Sequence, residues 1–224
     1  MAKLIFIEAR RKIDLNDNFS NELSRLSYRK IGLVSSIQYA NILLLIKKLL
    51  ENQGKEVFLA KGEISKHEGQ ILGCDVSAAL NVEKKVDAFL FVGTGLFHPI
   101  NLALKTKKKI FIFNPEAAKL SELNRRDIEN LKRKKEAAIK KFLSYDDIGI
   151  FISTKKGQFK LKMALELKKK IENKGKKAFL FLADNLDKRE FENFSCKLII
   201  NTACPGLSIN DSMIVNAEEI NSYL

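Results

Sequence analysis

A chain of 224 residues with 46% hydrophobic content can build one large domain or two small ones with real cores. Its net charge of +13 suits either an acidic partner or the charged surface of a heat-adapted protein. The lysines are scattered through helices, and no direct nucleic-acid site is indicated. No run of 18 or more apolar residues occurs and residues 1–8 lack the apolar region and cleavage site of a secretory signal, so no membrane association is expected and the expected localisation is cytoplasmic.

In chain order, apolar runs rich in Ile, Val and Phe predict strands over residues 4–7, 31–35, 56–59, 88–92, 110–113, 148–152, 178–182, 198–200 and 213–215. Such short continuous runs suit strands buried on both faces, as in parallel sheets. Helical-period segments alternate with them. Residues 116–143 read as one long polar-rich helix with Leu120, Leu123, Ile128, Leu131, Ile139 and Phe142 along one face. Phe159, Met163, Leu167 and Ile171 recur every four residues as a core-facing stripe on a later helix.

The chain is also internally repeated. Residues 31–60 and 148–183 each open Ile-Gly (Gly32, Gly149) and run into a strand ending in hydroxyl residues (Ser35 and Ser36, Ser153 and Thr154). A lysine-tailed helix follows and stops at Asn-x-Gly-Lys, residues 52–55 and 173–176, where the glycine suits a left-handed C-cap. Residues 87–95 then parallel residues 197–204, and another apolar strand follows each. The expected fold class is α/β, with two homologous small domains, 1–115 and 146–224. Each is a parallel-type sheet flanked by helices, and a long helix over 116–145 connects them. In such sheets ligands bind beyond the carboxyl ends of the strands, which places residues 93–98 and 202–206 on functional edges.

The three cysteines are Cys74, Cys196 and Cys204, with no Cys-x-x-Cys pair. An odd number argues against a disulfide framework, and any metal would need thiols far apart in sequence. Three stretches could carry chemistry. Residues 69–77 read Gly-Gln-Ile-Leu-Gly-Cys-Asp-Val-Ser, residues 91–99 Phe-Val-Gly-Thr-Gly-Leu-Phe-His-Pro, and residues 201–212 Asn-Thr-Ala-Cys-Pro-Gly-Leu-Ser-Ile-Asn-Asp-Ser. Glycines after a strand let backbone N–H groups approach a ligand, and Pro99 suits the first turn of a helix whose start favours an anion. A tight turn explains Gly-x-Gly equally well. A lone cysteine is commonly a buried thiol, although Cys204 ends a strand and precedes a proline.

Taken in order, Leu-Gly-Cys-Asp, Phe-Val-Gly-Thr-Gly-x-Phe-His-Pro, a basic helix, Ser-Thr-Lys-Lys-Gly-Gln at 153–158 and Asn-Thr-Ala-Cys-Pro resemble the archaeal-type diphthamide synthase family. The resemblance covers nearly the whole chain, and residues 93–99 and 202–205 are its most specific pieces. It implies a transferase of the non-canonical radical S-adenosylmethionine type. In that family three homologous α/β domains each give one cysteine to a [4Fe–4S] cluster, and the fourth iron position binds S-adenosylmethionine. A 3-amino-3-carboxypropyl group passes to a histidine of elongation factor 2. An open iron position suits chelation by the amino and carboxylate groups of the co-substrate.

Carried onto this chain, the resemblance makes Cys74 and Cys204 the metal ligands of the middle and C-terminal domains. Gly93, Thr94, Gly95, His98 and Gln158 become cofactor-binding residues, and no catalytic residue is separate from the cluster. His98 either orients the co-substrate or makes a backbone hydrogen bond at its turn, and Gln158 either reaches the co-substrate or bonds the helix start. Cys196 matches nothing in the family, and extended chain separates it from Cys204 by roughly 26 Å, so it reads as structural. His67 reads as a solvated loop residue, and Asp146 and Asp147 as a turn.

Two departures remain. The chain opens where the family's second domain opens, and Gly206 stands where the family pattern has a basic residue. The expectation is a separate chain of about 100 residues supplying the first domain and third cysteine, with dimerisation as the other way of acquiring a partner. The alternatives are a non-catalytic scaffold subunit of the same enzyme and a generic nucleotide- or anion-binding α/β protein.

Overall fold

Apolar strands alternating with amphipathic helices fold the chain into two units, Met1–Ile128 and Glu129–Leu224. The computed structural model describes residues 7–13, 17–191, 193–208 and 211–224. The strand predicted at 4–7 falls outside them except for Ile7, which is in no strand, and Ile209 and Asn210 also lie outside.

The first unit runs α1 (Asp17–Ser24), β1 (Lys30–Ser35), α2 (Leu43–Asn52), β2 (Glu56–Phe58), α3 (Ser77–Leu80), β3 (Ala88–Val92), α4 (Phe97–Ala103), β4 (Lys109–Asn114) and β5 (Lys119–Glu122). Helix α5 (Arg125–Ser144) begins at its end and carries the chain into the second unit. There follow β6 (Asp147–Ser153), α6 (Leu161–Glu172), β7 (Lys177–Ala183), α7 (Lys188–Phe191), β8 (Leu198–Asn201), β9 (Ile214–Asn216) and α8 (Ala217–Ile220). No helix among the described residues is long and apolar enough to cross a membrane.

The sheets are ordered β2-β1-β3-β4-β5 and β7-β6-β8-β9. Every pairing is parallel except β4 with β5. The first four strands of one sheet therefore repeat the order of the other. Gly32 pairs with Phe89 and Gly149 with Ile199. A Cβ at either glycine would lie 2.4 Å from the Phe89 ring or 2.5 Å from Ile199, so each repeat uses glycine to admit a bulky neighbour.

The duplication extends upstream, where Leu26-Ser27-Tyr28 before β1 matches Leu143-Ser144-Tyr145 before β6. The lysine that follows each helix explains the match. Gly54 and Gly175 adopt φ of +77° and +79°, closing α2 and α6 with left-handed caps. The next residue then reaches back. Lys55 Nζ donates to the carbonyls of Leu26 and Tyr28, and Lys176 Nζ to those of Leu143 (3.0 Å) and Tyr145 (2.8 Å). Each helix end is thus tied to the entry of its own first strand.

One face of the first sheet is covered by α1 and α2, which bury Phe19, Leu23, Leu43, Ile46 and Leu50 against Leu33, Leu90 and Phe113. In the second unit α5, α6 and α8 bury Phe142, Leu167, Ile171 and Ile220 against Ile148, Ile150 and Ile200. Phe151, Phe191, Cys196 and Ile199 form a smaller cluster.

Two expectations are corrected. The helix predicted from residue 116 starts only at Arg125, because residues 119–122 pair with β4 as an antiparallel strand. Asn114 Oδ1 accepts the Glu116 and Ala117 amides and turns the chain, so Leu120 meets Phe113 across the hairpin. Leu120 and Leu123 fitted a helical period only by spacing. On α6 the buried residues are Ala164, Leu167 and Ile171, while Phe159 and Met163 are 51% and 37% exposed. Leu167 and Ile171 of the predicted stripe are buried, and the departure is confined to its start, where the small Ala164 takes the core position in place of Met163 and Phe159 precedes the helix.

Candidate functional site

Two stretches distant in sequence meet at the carboxyl edge of the first sheet. After β2 the chain returns as an isolated parallel bridge between Ser35 and Gln70, with Ser35 N donating to Gly69 O (2.8 Å) and Ile71 N to Ser35 O (2.9 Å). Leu72 and Asp75 then exchange backbone bonds of 2.7 and 3.3 Å, so Gly73 and Cys74 form the tip of a tight turn. The Phe97 ring covers Gly73 so closely that a Cβ there would lie 2.0 Å away. That contact sets the exposed Cys74 turn against the segment following β3.

Asp75 anchors the turn. Its Oδ1 accepts the Ser77 amide (2.9 Å) and hydroxyl (2.5 Å), and Oδ2 accepts the Ile64 amide (3.0 Å). Burial works to raise its pKa, but the bonds from Ser77, Ile64 and Ser65 outweigh burial and hold the carboxyl below the usual carboxylate range.

Strand β3 runs out into Gly93, Thr94 and Gly95. A Cβ on Gly93 would lie 2.9 Å from the Phe91 ring and 3.3 Å from Tyr39, and Gly95 has φ +76°. Thr94 is exposed, and its hydroxyl lies 3.4 Å from that of buried Tyr39, which donates to Glu116 Oε1 at 2.7 Å. His98 stacks on Phe91 at 5.7 Å between centroids and meets Phe97 edge-on at 5.0 Å. Burial pushes its pKa below the ordinary histidine value, so the ring is neutral at pH 7.

In the second unit β8 runs out into Thr202, Ala203 and half-buried Cys204, followed by a 3₁₀ turn over Pro205–Ser208. Asn201 Nδ2 donates to Cys204 O and Asn216 Oδ1, both at 2.8 Å, while its Oδ1 accepts the Ala203 amide at 2.9 Å. Asn216 Nδ2 donates to Ser208 Oγ (2.7 Å) and Pro205 O (3.3 Å), and Ser208 Oγ to Pro205 O (3.0 Å). Thr202 Oγ donates to Phe151 O at 2.7 Å. Half-buried Gln158 closes the turn after β6, its amide donating to Lys155 O at 2.9 Å. Lys160, two residues on, lines a shallow recess with Thr202 and Pro205.

The two edge cysteines are not equivalent within the repeat. By strand register Cys204 stands where the first unit has Thr94, whereas Cys74 arrives on the connection after β2. Cys196 is buried before β8, and burial, aided by nearby Asp147, pushes its thiol pKa up. His67 is not merely solvated, since its Nε2 lies 2.9 Å from Glu8 Oε1. Asp147 begins β6, and Asp146 O accepts the Lys177 amide at 2.8 Å. Among the described residues no three His, Cys, Asp or Glu side chains gather as a metal site.

Asp75 and Asn201 lie inside the stretches singled out from the sequence but were given no role there, and Tyr39, Glu116 and Asn216 were missed. Asn216 carried a local signal, the Asn-x-x-Glu spacing to Glu219, whose Oε2 accepts the Asn216 amide at 3.1 Å.

The family model for diphthamide synthesis proteins matches residues 1–218. The 2-(3-amino-3-carboxypropyl)histidine synthase of Pyrococcus horikoshii is 29% identical over 210 residues, covering 92% of this chain and 60% of that protein. The synthase of Methanocaldococcus jannaschii is 30% identical over 189 residues, covering 83% and 48%. A crystal structure of Dph2 from Pyrococcus horikoshii superposes with a TM-score of 0.82 at 26% identity, over 95% of this chain and 63% of that one. The structure of that protein with a 4Fe-4S cluster gives 0.77 at 28% identity, over 90% and 58%. The chain therefore spans between 48% and 63% of the length of these relatives. The chain belongs to the diphthamide synthesis protein family.

Proposed function

We propose that this chain forms part of a 2-(3-amino-3-carboxypropyl)histidine synthase in which Cys74 and Cys204 are two thiolate ligands of a [4Fe–4S] cluster. The co-substrate is S-adenosylmethionine and the acceptor is a histidine of elongation factor 2, in the first step of diphthamide biosynthesis. The observation that carries the reading is that both cysteines stand at carboxyl sheet edges on turns held by buried hydrogen-bond networks. The donor set fits the group. Cluster ligation needs accessible thiolates, which suits exposed Cys74 and half-buried Cys204, whereas Cys196 is buried with a raised pKa.

When bound, the cluster supplies the electron that cleaves a carbon–sulfur bond of the co-substrate and an open iron position for its amino and carboxylate groups. A third thiolate comes from outside residues 1–224, on a partner chain or domain of the same α/β type. Gly93, Thr94 and Gly95 let the backbone approach the co-substrate, neutral His98 holds Phe97 against the Cys74 turn, and Gln158 is a further co-substrate-binding residue.

The test is anaerobic reconstitution of the complete enzyme with iron and sulfide. The Cys74→Ala, Cys204→Ala double variant should lose the visible cluster absorbance and product formation, and Cys196→Ala should keep both. A double variant retaining the full cluster spectrum would sink the proposal.

A further inference from the structure

The carboxyl edge of the first sheet holds a constellation that the cysteine turn does not use. Strands β3 and β4 pair in parallel and are joined through α4, with the Gly93–Gly95 turn at the end of β3. At the end of β4, Asn114 Oδ1 accepts the Glu116 amide (2.9 Å) and the Ala117 amide (3.3 Å), which fixes the turn that presents Glu116. Glu116 thus stands in the turn just beyond β4, the strand neighbouring the glycine turn, 21 residues after Gly95. Tyr39, only 1% exposed, joins the two: its hydroxyl donates to Glu116 Oε1 at 2.7 Å and lies 3.4 Å from Thr94 Oγ. Arg11 Nε lies 3.5 Å from the same Oε1. Both of these contacts are to Oε1, and Glu116 is exposed.

We propose that Glu116 accepts the ribose hydroxyls of an adenosine moiety laid against the Gly93–Thr94–Gly95 turn. The inference rests on the reading of this edge as the S-adenosylmethionine side of the enzyme. An acidic side chain about 20 residues beyond a strand-end glycine turn is how parallel crossover units bind a ribose diol. A carboxylate only accepts hydrogen bonds and vicinal hydroxyls donate them, so the pair is matched. The same unit lacks a pyrophosphate cradle. His98 occupies the third position of the Gly-x-Gly-x-x-Gly pattern, and α4 has only seven residues. The ligand class selected is therefore a nucleoside without phosphates. Tyr39 is a positioning residue that fixes the carboxylate relative to Thr94.

The experiment measures binding of S-adenosylhomocysteine and its 2′-deoxy and 3′-deoxy analogues to the intact protein by titration calorimetry. Loss of a hydroxyl that Glu116 accepts should weaken binding to wild type about ten- to a hundredfold. Glu116→Ala should bind all three probes with similar, weakened affinity. Tyr39→Phe, which keeps the ring and its packing, should retain the discrimination at reduced affinity. Equal binding of the three probes by wild type, no binding of any, or full discrimination in a folded Glu116→Ala protein would each overturn the inference. A protein that ligates a cluster through Cys74 and Cys204 but ignores the hydroxyls would sink this inference alone. Hydroxyl discrimination without cysteine-dependent cluster binding would sink the proposed function alone.

Discussion

The Cys74 turn is held by a carboxylate and the Cys204 turn by amides, and the difference follows from what each backbone leaves open. The segment around Cys74 is a long connection with little regular structure, and it presents unpaired N–H groups from Ile64 and Ser77. Asp75, acceptor-only when ionised, gathers them into one anchor. The Cys204 turn follows directly on β8 and presents both kinds of group, the Ala203 amide and the Cys204 and Pro205 carbonyls. Only side chains that donate and accept can close it, so Asn201 and Asn216 meet there. Similar edges of a repeated fold thus reach fixed cysteines by charged and by neutral chemistry.

The largest expected effect tests the neutral clamp. Asn216→Ala strips partners from Asn201, Ser208 and Pro205 O in a buried setting, and should destabilise the protein by about 2–4 kcal/mol in thermal or denaturant unfolding. Asn201→Ala should cost a similar amount, and the double variant clearly less than the sum, because the two act through one network. Additivity within about 0.5 kcal/mol would mean that the amides are independent and the comparison wrong.

The charged clamp should be weaker and pH-dependent. Asp75→Asn replaces one acceptor oxygen by a donor and should cost about 1.5–3 kcal/mol near neutral pH. Because the folded pKa lies below the ordinary aspartate value of 3.8, the unfolded chain binds the proton first. The stabilisation is complete above that value and is lost as pH falls through the folded pKa. The wild type should therefore lose this contribution on acidification below about pH 4, whereas Asp75→Asn should lack that part of the slope. Hydrogen exchange should locate the acid-sensitive step at residues 64–77 and leave 201–208 protected. Equal loosening of both turns would erase the distinction.

The smallest effect belongs to His98. Its folded pKa lies below the ordinary value of 6.5, so between the two the unfolded chain takes up more protons. Stability should decline as pH falls from 6.5 through the folded value. His98→Gln should flatten that part of the profile in pH-dependent melting, and an unchanged slope would place the titration elsewhere.

The sequence by itself determined the α/β class, the duplication, the helix-ending glycines, and the strand end on which Cys204 lies. All of these are local. Strand runs, helical period and cap glycines act over a few residues and repeat with little change between the units. Only the tertiary structure decided that residues 119–122 are a strand, since Leu120 and Leu123 satisfy either period until Phe113 is seen opposite. The same holds for the first turn of α6, where Ala164 and not Met163 meets the core. The anchors were hidden for the same reason. Tyr39 finds Glu116 across 77 residues, Lys55 finds Tyr28 across 27 and Asn201 finds Asn216 across 15. A hydrogen bond between distant residues leaves no periodic trace, and its partners become visible only when the sheet brings its strand ends side by side.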